Sequence, residues 1–170
     1  TVTISGTPTQ GQVLTASNNI VDSNIVGSIT YTWSNGKIGD SITLEQTDVG
    51  NQITVTASYT DGDGYAESVI SDATDTVVNV NDAPTGTVTI SGTPTQGEVL
   101  TASNTIADID GMGTITYTWS NGETGESITL TQADVGNTIT VTASYTDGEG
   151  AVESKTSNPT DEIVNVNDAP

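Results

Sequence analysis

The sequence predicts an all-β protein that consists of two copies of one antiparallel β-sandwich. Three observations support this prediction. Thr is the most prominent residue, with 33 copies among 170 residues, and Val and Ile accompany it; these types favour strands. Apolar and polar side chains alternate with a period of two, and no segment has a helical stripe. Finally, residues 1–84 and 87–170 are identical at 61 of 84 positions, with a constant offset of 86 and no gap.

The repeat defines the domain organisation. TVTISGTPTQG opens both copies and VNVNDAP closes both, so we predict two domains, 1–83 and 84–170. A module of this size buries roughly two thirds of its unfolded surface and is only marginally stable alone. Bound metal or contacts with neighbouring modules would add stability. Because no basic and apolar leader precedes the first copy, we expect a mature fragment or a slice of a longer chain. The second copy ends on the same NDAP that joins the two copies, so we expect the longer chain to contain further copies.

Turn residues divide each copy into short strands. In copy one, Asn35-Gly36 and Asp61-Gly62 are strong turn signals, and a polar loop covers residues 18–27. The predicted strands are 1–5, 12–17, 28–34, 41–46, 52–60 and a last segment from 66 to about 80 that is broken near residues 72–74. Alternation places Ile29, Tyr31 and Trp33 of the third strand on one face, and Ile53, Val55 and Ala57 of the fifth strand in the core.

The composition excludes several classes of function. The chain has no Cys and no His, and its net charge is −20 with only two basic residues. Disulfides and thiolate metal sites are therefore impossible, and the commonest acid–base catalyst is missing. Two cationic side chains cannot neutralise a phosphate backbone, and no apolar run approaches the ~20 residues that span a bilayer. We therefore expect no nucleic-acid partner, no membrane insertion and no enzymatic activity.

Two segments resemble immunoglobulin domains. Residues 29–34 (ITYTWS) are similar to the strand with the core tryptophan, and residues 44–58 are similar to the corner and strand that hold the second cysteine. Val55 and Val141 stand in the position of that cysteine, and Leu14 or Val13 stands in the position of the first. The resemblance implies two immunoglobulin-like sandwiches arranged end to end, with aliphatic pairs in place of the disulfide.

The whole chain resembles the tandem immunoglobulin-like, cadherin-like repeats of giant bacterial RTX adhesins, through TVTISGTPTQG, LTQADVGNTITVTASYTDGEG and VNVNDAP. The resemblance implies extracellular extender modules at the bacterial cell surface, which act in adhesion and biofilm formation. It also implies calcium as the cofactor, neighbouring repeats of the same polypeptide as partners, and a monomer in isolation. VNVNDAP is similar to the calcium-binding linker of cadherins, with Asn79 and Ala83 in place of two ligands.

Acidic loops are expected to meet where the chain enters copy two. In an immunoglobulin-type sandwich the two loops at residues 107–111 and 147–150 lie at the end where the first strand begins. Carboxylates gathered there would repel one another without a cation, and Ca²⁺ takes six to eight hard oxygen ligands, whereas Mg²⁺ prefers fewer protein ligands. The candidate metal ligands are Asn81, Asp82, Asp108, Asp110, Asp147 and Glu149.

Copy one and the tail of the chain supply further candidates. Because Asp22-Ser23-Asn24 replaces Asp108-Ile109-Asp110, a site in copy one should be weaker. The additional candidate ligands are Asp22, Asp61, Asp63 and Asp168.

Simpler explanations remain open for the same residues. Asp-Gly pairs are common hairpin turns, Asn81 and Asp82 could cap a turn, and Asp48 is better explained as a turn former than as a ligand. The favoured function is a structural spacer with calcium stiffening the joint between copies. The alternative is an adhesion module that itself binds a glycan or another copy of the chain.

Overall fold

The computed structural model describes residues 1–24 and 26–167. The chain divides into two compact units, Thr1–Val80 and Asn81–Pro170. Among the described residues, strands predominate and the only helices are two three-residue 3-10 turns, Gln46–Asp48 and Gln132–Asp134. The part of the chain that the structure describes contains no helix long and apolar enough to cross a membrane. The all-β prediction is confirmed.

The first unit contains two three-stranded antiparallel sheets. One sheet has the order β1-β2-β4 and the other has the order β3-β5-β6. The strands are β1 (Val2–Ser5), β2 (Val13–Asn18), β3 (Thr30–Trp33), β4 (Ser41–Thr43), β5 (Val55–Thr60) and β6 (Ala66–Ile70).

The second unit repeats this topology. Its sheets have the orders β7-β8-β10 and β9-β11-β12. The strands are β7 (Val88–Ser91), β8 (Val99–Asn104), β9 (Thr116–Trp119), β10 (Ser127–Thr129), β11 (Val141–Thr146) and β12 (Val152–Thr156).

The core of each unit lies between its two sheets. In the first unit Leu14 of β2 packs in one cluster with Trp33 and Val55 of the opposite sheet, and each of the three is at most 2% exposed. Val13 is half-exposed, so Leu14 takes the inward position that the sequence left open. The Trp33 indole donates a hydrogen bond to Gly39 O at 2.8 Å, which satisfies its polar atom inside the core. The predicted burial of these alternating positions is confirmed, and their counterparts in the second unit, Leu100, Trp119, Ile139 and Val141, are buried too.

The strands are shorter than the sequence pattern predicts. The fourth strand ends at Thr43 because the next residues turn into the 3-10 helix, and the fifth begins only at Val55. The last predicted strand ends at Ile70. Ser71 then turns inward, where its hydroxyl accepts a hydrogen bond from Val55 N at 3.0 Å.

The residues that leave the first unit run parallel to a segment near its start. Thr9 forms a parallel bridge with Val78. Val78 N donates to Pro8 O at 2.9 Å and Gln10 N donates to Val78 O at 3.0 Å. Val80 N then donates to the side-chain Oε1 of Gln10 at 3.0 Å, so a side chain continues the ladder by one more bond.

The second unit holds its last described residues in the same way. Thr95 pairs with Val164 in parallel, and Val166 N donates to Gln96 Oε1 at 3.1 Å. The VNVN segment is therefore part of each unit up to its second valine.

Candidate metal centre

The loop between β8 and β9 is organised around Asp108. Asp110 N donates to Asp108 Oδ1 at 3.0 Å, and the Tyr145 hydroxyl donates to Asp108 Oδ2. Burial, and then the hydrogen bond to Asp108, raise the pKa of Tyr145 well above its usual range, so the phenol stays protonated and keeps donating. Asp108 is thus held on both carboxylate oxygens.

The loop between β11 and β12 is organised around Asp147. Asp147 Oδ1 accepts hydrogen bonds from Glu149 N at 2.9 Å and Ala151 N at 2.8 Å. The Glu149 side chain is exposed, whereas Asp147 is 7% exposed. The turn therefore directs one acidic side chain inward and leaves the other in solvent.

The two loops are in direct backbone contact. Gly148 N donates to Asp110 O at 2.9 Å, and a Cβ on Gly148 would lie 2.6 Å from that oxygen. Only glycine allows this approach. The sequence signal was the Asp147-Gly148 pair, which we interpreted as a turn and not as a contact point.

The segment that enters the second unit is tied to these loops. Asp82 N donates to Asp110 Oδ2 at 2.6 Å, and Thr85 N donates to Ala107 O at 2.8 Å. Asn81 Nδ2 donates to Glu153 Oε1 at 2.7 Å. Glu153 was not among the predicted residues, since it lies within β12 and has no loop motif around it.

Gly86 packs the same segment closely against residues 105 and 106. Its φ is +80°, and a Cβ there would lie 2.1 Å from Thr105 O. Gly86 lies against the end of β8, and this close approach is possible because glycine has no side chain.

Two carboxylate oxygens of this site are buried and accept no hydrogen bond. They are Asp110 Oδ1 and Asp147 Oδ2, on side chains that are 5% and 7% exposed. A buried anionic oxygen without a partner is costly, and native structures seldom leave one. A hard cation is a partner that such oxygens suit. The unpartnered oxygens of Asp110 and Asp147 could bind Ca²⁺ together with loop carbonyls and water, and Asp108 holds the loop around them.

The corresponding loops of the first unit have the same turns but a different charge. Gly62 N donates to Asn24 O at 2.8 Å, and the Tyr59 hydroxyl donates to Asp22 Oδ2 at 3.1 Å. Asp61 Oδ1 accepts from Asp63 N and Tyr65 N. A neutral, exposed Asn24 thus occupies the place that buried Asp110 takes in the second unit.

The predicted ligands are therefore only partly gathered. Asp82, Asp108, Asp110 and Asp147 belong to one hydrogen-bonded group of loops, whereas the Glu149 and Asp63 side chains are exposed. Within residues 1–24 and 26–167, no three acidic side chains form a ready-made metal cluster. Asp168 lies outside the described residues.

Two further buried carboxylates are fully occupied by protein groups. Asp48 Oδ1 accepts from Asn35 Nδ2 at 3.0 Å, and its Oδ2 accepts from Glu45 N at 2.9 Å. Asp134 has the equivalent bonds from Asn121 and Thr131. Burial alone would raise the pKa of Asp134, but these hydrogen bonds lower it. Asp48 and Asp134 hold the corner before β5 and β11, as a turn former does.

The chain is similar to a solved structure of a repeat protein. It is the crystal structure of a tetra-tandem repeat in the extending region of a large adhesion protein. The match has 25% identity and a TM-score of 0.32, and it covers 94% of this chain and 48% of that one. The chain thus spans about half the length of that structure. No family model and no curated protein matches the chain.

Proposed function

We propose that the chain is a pair of extender repeats from a calcium-dependent adhesin on the outside of a bacterial cell. Its role is to space and stiffen, and it has no enzymatic activity. Calcium would bind at the loops of the second unit and fix the segment that joins the two copies. The neighbouring repeats of the same polypeptide would be its partners.

The observation that carries the proposal is the pair of unpartnered oxygens, Asp110 Oδ1 and Asp147 Oδ2. They belong to loops in backbone contact, and Asp110 also accepts the hydrogen bond from Asp82 N. A calcium ion at these oxygens would join both loops to the entering segment. Calcium suits this donor set because it accepts carboxylates, carbonyls and water in flexible geometry, whereas Mg²⁺ needs a tighter octahedron. The set contains no soft ligand for a transition metal.

The hydrogen bonds of the joining segment also support a spacer role. Val80 is tied to the first unit through Gln10, and Asp82 and Thr85 are tied to the second. A cation that strengthens the tie of Asp82 to the second unit would support this role.

The net charge of −20 gives calcium a second effect. Like charges concentrated in loops destabilise the compact state, and a divalent ion that binds only the folded form offsets this repulsion. Monovalent salt screens the same charges but does not bridge them.

Isothermal titration of the whole chain with calcium tests the binding site. We expect Asp147→Asn to weaken the titration strongly and Asp61→Asn, at the matching position of the first unit, to change it little. A wild-type chain that takes up no calcium at millimolar concentration, or equal effects of the two variants, would refute the site.

Small-angle scattering tests the stiffening role separately. The wild-type chain should be less flexible in calcium than in chelator, and Asp110→Ala, which removes the acceptor of the Asp82 N–H, should remove most of that difference while both units stay folded. Equal flexibility in the two conditions would refute the spacer mechanism even if calcium binds. A glycan array that gave specific binding would favour the adhesion-module alternative, although both tryptophans are buried and cannot stack on a sugar.

A further inference from the structure

The chain contains two Asn-Gly turns, Asn35-Gly36 and Asn121-Gly122. Asn-Gly pairs can undergo deamidation, a reaction that plays no part in the proposed spacer role. In an Asn-Gly pair the backbone nitrogen of glycine can attack the asparagine Cγ. This attack expels ammonia and closes a succinimide ring. Water then opens the ring to aspartate or, through the other carbonyl, to isoaspartate. Because glycine has no side chain, it hinders this attack least.

The fold restrains both partners of this reaction. Gly36 N donates to Trp33 O at 2.9 Å, so the nucleophile is engaged in the turn. The Asn35 amide donates to Asp48 Oδ1 at 3.0 Å and accepts from Lys37 N at 3.2 Å. Attack on Cγ requires the side chain to rotate away from these partners. The native turn therefore has to open before the ring can close.

The second unit contains the same arrangement. Gly122 N donates to Trp119 O at 2.9 Å. The Asn121 amide donates to Asp134 Oδ1 at 3.0 Å and accepts from Glu123 N at 3.1 Å.

The aspartate or isoaspartate formed from Asn35 or Asn121 would lie next to a buried carboxylate, Asp48 or Asp134. Asp48 and Asp134 are 4% and 5% exposed, and each depends on the asparagine amide for one of its hydrogen bonds. Conversion of Asn35 or Asn121 replaces that donor with a second carboxylate at hydrogen-bonding distance. Like charges in a partly buried site repel strongly, and the buried acid loses a partner.

We infer that Asn35 and Asn121 are deamidation sites that the folded state masks, and that conversion of either one irreversibly loosens the corner held by Asp48 or Asp134. Deamidation then proceeds from the locally opened state, because each opening exposes the Asn-Gly pair. Each conversion destabilises the corner and so makes further opening easier. This inference is independent of calcium binding.

Mass-spectrometric mapping measures the masking. The whole chain is incubated at mildly alkaline pH, folded and in denaturant, and conversion is followed at Asn35 and Asn121, with Asn51 and Asn137 as internal controls that precede Gln and Thr. We expect the two Asn-Gly sites to convert fastest in denaturant. In the folded chain they should slow by at least about tenfold, the factor that corresponds to an opening free energy of about 1.4 kcal/mol. Equal rates in the two conditions, or no excess over the controls in denaturant, would overturn the inference.

A pair of variants measures the consequence. Asn121→Asp mimics the product, and Asn137→Asp adds the same charge at an exposed residue whose amide donates to the Ala133 carbonyl. Asn121→Asp should lower the melting temperature of the second unit clearly more than Asn137→Asp does. Equal losses would show that the facing carboxylate of Asp134 has no special effect and would overturn the second half of the inference.

Discussion

Substitution of Asp110 by Asn should change the stability of the second unit in opposite directions with and without calcium. In chelator, Asp110→Asn removes a buried anionic oxygen that has no hydrogen-bond partner. The amide oxygen of Asn can still accept the bond from Asp82 N. The variant should therefore be as stable as the wild type in chelator, or more stable. In calcium the variant lacks a charged ligand and should be less stable.

The expected magnitudes follow from burial and mass action. An unpartnered buried polar group costs about 1–3 kcal/mol, which is the upper limit of what the variant gains in chelator. Calcium at a hundredfold excess over its dissociation constant stabilises by about 2.7 kcal/mol. For a unit of this size one kcal/mol shifts the melting temperature by about 4–8 °C. Calcium should thus raise the melting temperature of the wild-type unit by on the order of 10 °C, and a hundredfold weaker variant should lose nearly all of this shift.

Differential scanning calorimetry of the whole chain measures both signs. Wild type and Asp110→Asn are compared in excess calcium and in chelator at matched ionic strength. Glu126→Gln is the control, because it also removes one negative charge from the second unit but at an exposed residue. If Asp110→Asn keeps the full calcium shift, or if it is destabilised more in chelator than in calcium, the assignment of these oxygens to a cation is wrong.

Three further predictions concern the linker, the corner and the loop. Gly86→Ala should destabilise the second unit more than Gly97→Ala, because both have positive φ but only the first would place a Cβ 2.1 Å from a carbonyl oxygen; equal losses in thermal melts would exclude the close packing. Asp134→Asn should destabilise at neutral pH and lose this effect in acid. The folded-state pKa of Asp134 is lowered, so its contribution is present above the unfolded value of about 3.9 and disappears as pH falls through the folded one; a pH-independent difference in unfolding free energy would contradict this. Tyr145→Phe should weaken calcium binding, since it releases Asp108, whereas Tyr59→Phe in the first unit should leave the titration unchanged; equal calcium isotherms for the two variants would remove Tyr145 from the site.

The sequence alone was sufficient to predict the repeat and most of the buried core positions. An alternation of period two identifies the inward positions Trp33, Ile53 and Val55 because a strand presents every second side chain to the same face. It could not choose between Val13 and Leu14, since that choice depends on the register of β2, and a shift of one residue reverses the face.

Several features depend on contacts between distant residues and left little local signal. Gln10 and Val80 are seventy positions apart, and nothing in either neighbourhood indicates that a side chain completes a backbone ladder. The hydrogen bond between Asn81 and Glu153 also joins distant residues and has no local sequence signal. Tyr145 was a partial exception, because a Tyr precedes Thr-Asp-Gly in both copies, and this repetition could have directed attention to a hydrogen bond with the acidic loop.

The sequence placed the candidate ligands in acidic loops but could not tell which of their side chains turn inward. The Asp147 carboxylate accepts hydrogen bonds from the backbone of its own loop, whereas the Asp110 carboxylate accepts one from Asp82 N in the entering segment, and the exposed Glu149 points into solvent. Spacing along the chain cannot separate these cases. Burial and hydrogen-bond partners, which arise only in the folded loops, make the distinction.

The parallel pairing of Pro8–Gln10 with Val78–Val80 has a mechanical consequence. Two parallel segments that are pulled from opposite ends slide along each other, so the hydrogen bonds between them carry the load together and do not open one at a time. The ladder at Thr9 and Val78, lengthened by the Gln10 side chain, has this geometry for tension that enters before Pro8 and leaves after Val80. The point where the chain leaves the unit is therefore also a place where the unit resists extension.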